Sequence, residues 1–204
     1  MTKAPISFIV KSGERRGEQM IPHRSYCGMP MKRFRLFADL GILTVPEEYE
    51  HATQLETFQK NHRIHLQGYN CDMNDVNFSR PSRILKPGDR FSVRAYKQIA
   101  SGTVTSEECL AFLETLNSHY VGAQGATLVF EQKRDQLPKG VHYLFMDERN
   151  HLWIDNGGSI RVPKVQVGIH GDFCLYLDFF EDAQNDFHVL LSFCDVSGIR
   201  DRAS

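Results

Sequence analysis

Apolar residues recur most regularly over positions 105–120, where Cys109, Phe112, Leu113, Leu116 and Tyr120 fall at i, i+3, i+4, i+7 and i+11. That spacing lines one face of an α-helix. Thr105-Ser106-Glu107-Glu108 has the form of a capping box, a hydroxyl and a carboxylate that satisfy each other's backbone amides, so a helix is expected over 105–119. Thr44-Val45-Pro46-Glu47 has the same form, with Thr44 as N-cap and proline in the first turn, and predicts a helix over 46–62. Its apolar positions Tyr49, Ala52, Leu55 and Phe58 make a narrow stripe suited to the edge of a core.

Elsewhere the apolar residues alternate or form short runs, as strands require. Strands are expected at 6–10, 91–99 and 126–132, then at 141–146, 151–155, 160–169, 173–180 and 187–194, parted by turns such as Asn156-Gly157 and Gly171-Asp172. Short links between successive strands predict an antiparallel meander. The last two strands are apolar at both alternating sets of positions, so they are expected side by side, covered on both faces, with the 105–119 helix on one side. The predicted class is α+β: an antiparallel β-meander sheet with one packed amphipathic helix, preceded by a smaller mixed α/β region. Between Gln67 and Gly88 the composition turns to Asn, Asp, Ser, Pro and Gly, ending in Lys86-Pro87-Gly88-Asp89. The expected division is therefore a basic mixed region with one helix over 1–82, a β-rich α+β domain over 83–196, and a polar tail over 197–204.

Composition narrows the class. The chain has 204 residues, 41% hydrophobic and 24% charged, enough to bury a sizeable core without a metal or disulfide staple. Lys and Arg number 24 against 25 Asp and Glu, which removes a whole-chain argument for a polyanionic partner. The distribution is uneven, however. Residues 1–40 carry eight basic and three acidic side chains, while 105–204 carry eight basic and fifteen acidic, with no Lys or Arg between Lys164 and Arg200. Such a dipole offers two differently charged faces. No uncharged apolar run approaches the ~18 residues of a membrane span, and 1–10 falls short of a signal-peptide core, so no membrane partner is expected. Five scattered cysteines without a C-x-x-C pair suit free thiols in a reducing cytoplasm.

Two resemblances add to this. Around Leu152-Trp153-Ile154 and the exit Asn156-Gly157-Gly158, residues 145–158 resemble a hairpin of a β-propeller blade. The pattern occurs once, so it implies a tight hairpin with one buried tryptophan. Over 85–195, and most of all from Val121-Gly122-Ala123-Gln124-Gly125 to Leu137-Pro138-Lys139-Gly140, the chain resembles uncharacterised bacterial proteins. That resemblance carries no activity and implies a bacterial, cytosolic origin.

The residue types along the chain bear on four chemistries. His62-x-x-His65 followed by Cys71, Asp72 and Asp75 has metal-binding residue types, but one imidazole pair and one thiol lack the second pair of a structural zinc site. No metal or other cofactor is expected, His62, His65 and Cys71 being the ligands one would use. Cys109 lies in an apolar stripe and reads as a packed thiol; Cys174 and Cys194 would face each other across a turn near Gln184 if their strands paired in register. Asp178, Glu181, Asp182 and Asp186 crowd the last inter-strand link without the alternation of a calcium loop, and Asp155 with His151 or His170 has the composition of an acid/base pair. Arg15, Arg16, Arg24, Lys32, Arg33 and Arg35, with Tyr26, Phe34 and Phe37 among them, suit a single-stranded nucleic acid. No nucleotide or nucleophile-elbow motif is present.

The function expected from these readings is a non-catalytic interaction protein that binds another protein through charged surfaces, using Arg33 and Arg35 at one end and Asp178, Glu181, Asp182 and Asp186 at the other. The alternatives are a small metal-dependent or Cys/His hydrolase built on the histidines of the meander, and single-stranded nucleic-acid binding through the basic N-terminal region.

Overall fold

The computed structural model describes residues 33–62, 68–99 and 102–196. The expected strand at 6–10, the residues Arg15, Arg16, Arg24, Tyr26, Cys27, Lys32 and His65, and the polar tail lie outside them. The described chain is a mixed α/β structure with one eight-stranded sheet and three α-helices. Strands β1 (Phe34–Thr44), β2 (Gly68–Tyr69), β3 (Arg90–Gln98), β4 (Val141–Leu144), β5 (Trp153–Ile154), β6 (Ile160–Val167), β7 (Phe173–Phe179) and β8 (His188–Asp195) join in the order β1-β3-β8-β4-β6-β7-β2, with β5 on β6.

The sheet is mixed, which corrects the expected meander. β8 runs parallel to β4, and β2 parallel to β7, while the other pairs are antiparallel. β7 and β8 are therefore not a hairpin. Strands β6 and β4 lie between β7 and β8, which point the same way, so the link from β7 to β8 returns across the sheet face. Pairing β8 between β3 and β4 keeps both of its apolar faces covered, which a hairpin at the sheet edge would not. Cys174 and Cys194 consequently pair with Gln166 and Ser92, not with each other. β1 and α1 (Gln54–His62) share the sheet and core with elements from beyond residue 82.

Helix α2 (Ser106–Thr115) begins as its sequence specifies: the Glu108 N–H donates to Thr105 Oγ1 at 3.2 Å, and the Thr105 N–H to Glu108 Oε2 at 3.0 Å. The first expected capping box fails. Thr44 ends β1, and Val45 is tied by backbone hydrogen bonds to Gly88 and Asp89. A 3-10 turn at His51–Thr53 leads into α1, whose free amides are capped from a distance: Leu55 and Glu56 N–H donate to the two oxygens of Asp75 at 3.0 and 2.9 Å. A carboxylate there also complements the positive end of the helix.

The expected strand at 126–132 is instead the middle of α3 (Gly122–Lys133). Ala126, Thr127, Leu128, Val129 and Phe130 are all essentially inaccessible to solvent. A helix buried all round shows no amphipathic period, and its β-branched residues mimic a strand. Tertiary burial overrides that local preference. α3 and α1 cover one face of the sheet, where Val93, Tyr143, Val165, Leu175, Val189 and Leu191 alternate inward. α2 covers part of the other, packing Phe112 and Leu113 on Phe34, Leu144, Val162 and Leu190. Trp153 is half-buried at the rim of the first core, rather than enclosed as the propeller-like pattern implies. No described helix is long and apolar enough to cross a membrane.

The first turn of α3 depends on Gly125 having no side chain: a Cβ there would lie 2.1 Å from Cγ2 and 2.5 Å from Cβ of the N-cap residue Val121. Gly125→Ala is expected to lower stability by about 1–3 kcal/mol through overpacking, although alanine is the better helix former, and a urea titration of both proteins measures it.

Candidate functional site

The second face of the sheet is only half apolar. Beyond the reach of α2, the positions that alternate with core residues carry His142 on β4, Lys164 and Gln166 on β6, Tyr176 and Asp178 on β7, and His188 on β8. Strand alternation places them on one face, because Val141, Tyr143, Val165, Val167, Leu175 and Val189 point into the core opposite. His188, His142, Gln166 and Cys174 form a row across four strands in register.

These side chains meet. Lys164, whose side chain is 8% exposed, donates to Asp178 Oδ2 at 2.5 Å, and its ammonium lies 4.6 Å from the centre of the Tyr176 ring. Tyr176 Oη donates to Gln166 Oε1 at 3.0 Å. His188 Nε2 stands 3.6 Å from the same Asp178 oxygen, and the rings of His142 and His188 are 5.4 Å apart. Three strand spacings separate β7 from β8, about 14 Å on a flat sheet, so this face is strongly coiled. Among the described residues, His142 Nδ1 and His188 Nε2 are buried without a hydrogen-bond partner.

The charges respond accordingly. Burial pushes the Asp178 carboxyl up, but the close approach of His188 and the hydrogen bond and charge of Lys164 outweigh it, leaving the group well below the usual carboxylate range. Burial, then the Lys164 and His188 charges, hold the His142 imidazole below its ordinary value against the opposing pull of Asp178. Burial and the nearby Asp178 raise Tyr176. The centre is therefore one ion pair with a neutral imidazole beside it at physiological pH.

Above it runs the β7–β8 link. Phe180 and Gln184 turn inward, and Gln184 exchanges two backbone hydrogen bonds with Val104, at 2.8 and 2.7 Å, which straps the link to the start of α2. Glu181, Asp182, Asp186 and Phe187 face outward. Of the four carboxylates expected to face a partner, Asp178 alone is drawn into the sheet face. Glu181 accepts from Arg149 at 3.2 Å, and the same guanidinium also reaches Glu107 and lies over Phe180. Arg33 donates to Glu108 at 2.8 Å, whereas Arg35 is exposed on the edge strand β1.

The other candidates separate. His62 pairs with Glu131 at 3.1 Å and packs on Phe58, Cys71 is exposed, and no group of three or more His, Cys, Asp or Glu among the described residues is arranged to hold a metal ion. Burial, followed by the charges of Glu108 and Glu107, pushes the Cys109 thiol up to about 12, so it is an inert packed thiol. Asp155 binds Arg161 at 2.6 Å and caps its own turn through Gly157 and Ser159, while His151 bonds the Arg80 carbonyl. The signal for the sheet-face centre was present in the sequence as Tyr176, Asp178 and His188 at alternate positions, which the expectation of two strands apolar on both faces passed over. Their convergence with His142 and Lys164 was not, because it joins four strands. No protein-family model, curated protein or solved structure matches the chain.

Two of the shifted groups of the centre, His142 and Asp178, make folding acid-sensitive. The depressed His142 takes up a proton less readily folded than unfolded, so stability falls as pH drops below the unfolded value near ~6.5; the depressed Asp178 adds a second loss below ~4. His51, lowered chiefly by burial, contributes to the first window as well. Urea midpoints between pH 7.5 and 5 are expected to decline less in His142→Gln than in the parent.

Proposed function

We propose that the protein acts by binding another protein, and that the β7–β8 strap is its recognition surface. The observation that carries this reading is the strap's construction: Phe180 and Gln184 anchor it, while Glu181, Asp182, Asp186 and the 58%-exposed Phe187 are presented to solvent. A fixed link needs little ordering on binding, which lowers the entropic cost of association. Carboxylates around an exposed aromatic favour a basic segment with an apolar anchor, since the acids steer the approach and the ring supplies desolvated contact. Arg149 occupies one side of Glu181, leaving Asp182 and Asp186 as the open charges. At the opposite edge of the sheet, Arg35 gives the surface its other sign.

The compartment read from the thiols is the reducing cytoplasm. Cys71, Cys109, Cys174 and Cys194 are all unbridged, which is in keeping with that reading.

Fluorescence anisotropy against Lys/Arg-rich peptides containing Leu or Phe tests the strap. Asp182→Lys with Asp186→Lys is expected to weaken binding about tenfold or more at low salt, and Phe187→Ser to weaken it in a salt-independent way. Equal affinities across parent and variants reject the strap as the recognition surface.

A further inference from the structure

The centre on the sheet face has more donors than acceptors. Lys164 has three ammonium protons and gives one to Asp178. His188 Nδ1 accepts from the Asn185 backbone N–H at 3.1 Å, so a ring proton is carried on Nε2. That nitrogen is buried without a hydrogen-bond partner, and Asp178 Oδ2, at 3.6 Å, is too far for one. Gln166 Oε1 is taken by Tyr176, which leaves its amide N–H groups on the same face. Against these donors stand one carboxylate, whose Oδ1 already accepts from the Phe179 N–H at 3.2 Å, and the single acceptor nitrogen of the His142 ring. A buried donor without an acceptor carries its full desolvation cost, and native proteins keep few of them without a use.

We propose that this centre is a binding site for a small oxyanion, a carboxylate or a phosphate group, held by Lys164 and His188 with His142 at its side. The ligand supplies the acceptors the face lacks. Asp178 is then a positioning residue: it holds the lysine in place while the site is empty and competes with the ligand for the same donors. Four strands contribute, so the site is fixed by the sheet and does not depend on the strap's own binding role. Tyr176, Gln166 and His142 are half-exposed, which leaves the centre reachable from solvent. The nearby Asp182 and Asp186 oppose an anion, yet they project from the strap into solvent, where their field is screened.

The opposite roles of Lys164 and Asp178 give the test. Titration calorimetry of the full chain with inorganic phosphate and, separately, with succinate is expected to show saturable one-to-one binding of at least one of them with Kd below about 1 mM. The stronger of the two arms identifies the source of the oxyanion. Lys164→Met is expected to weaken binding about tenfold or more, since it removes a charge-assisted donor, and Asp178→Asn to tighten it about threefold or more, since it frees both donors. A merely structural pair predicts that both substitutions weaken binding. If Lys164→Met does not fold, Asp178→Asn alone decides. No saturable binding of either anion, or no tightening in Asp178→Asn, overturns the proposal.

Discussion

Strands β8 and β4 lie at the centre of the sheet, and both of their faces have to be covered. The described helices cover one face fully and the other in part. On the first, α3 is buried along almost its whole length, and Gly125 leaves room there for the side chain of its own N-cap, Val121. On the second, α2 spans only Ser106–Thr115 and shields the region of Leu144 and Leu190. The remaining area must be filled by the β7–β8 link and by the side chains of the sheet itself. Apolar residues there would form an exposed greasy patch, the usual source of aggregation in a monomer. The chain instead places an ion pair, two imidazoles, a tyrosine and a glutamine on that face, each partly enclosed by the others.

That solution has an energetic asymmetry. Burying a charge is costly unless it is paired, and a buried pair is seldom a net gain over apolar residues of the same shape. Lys164 and Asp178 are therefore weak as a device for stability. The centre also leaves two imidazole nitrogens unsatisfied, which subtracts further. A sheet face selected for stability alone would not be built this way, whereas a face that receives a ligand carries such a cost in its empty state.

Features specified by neighbouring residues were legible in the sequence. The Thr105 capping box and the stripe Cys109, Phe112 and Leu113 produce α2 where they occur, and alternation marks most of the strands within a few residues. What depended on distant residues was not. α3 hides its helical period because every side is buried, and 126–130 reads as a strand from its composition. Asp75 caps a helix twenty residues before it, so Thr44-Val45-Pro46-Glu47 misleads. The parallel pairing of β4 with β8 joins residues about fifty apart, as His142 and His188 show. The sheet-face centre inherits that difficulty, since His142, Lys164, Asp178 and His188 become neighbours only once the strand order is known.

The charge dipole read from the sequence has a narrower role than attraction between the two halves of the chain. Arg33 to Glu108 joins the basic early segment to the acidic later one, but both partners are well exposed, and such a pair is worth about 0–1 kcal/mol. The β1–β3 and β3–β8 ladders, which connect β1 to β8, and the shared apolar core hold these segments together instead. Because cohesion does not depend on opposite charges meeting, the strap can keep Asp182 and Asp186 turned to solvent without weakening the fold. Acidic residues that stabilise nothing internally are thus placed on a link that is itself firmly anchored, which is where a charged surface can steer an approaching partner.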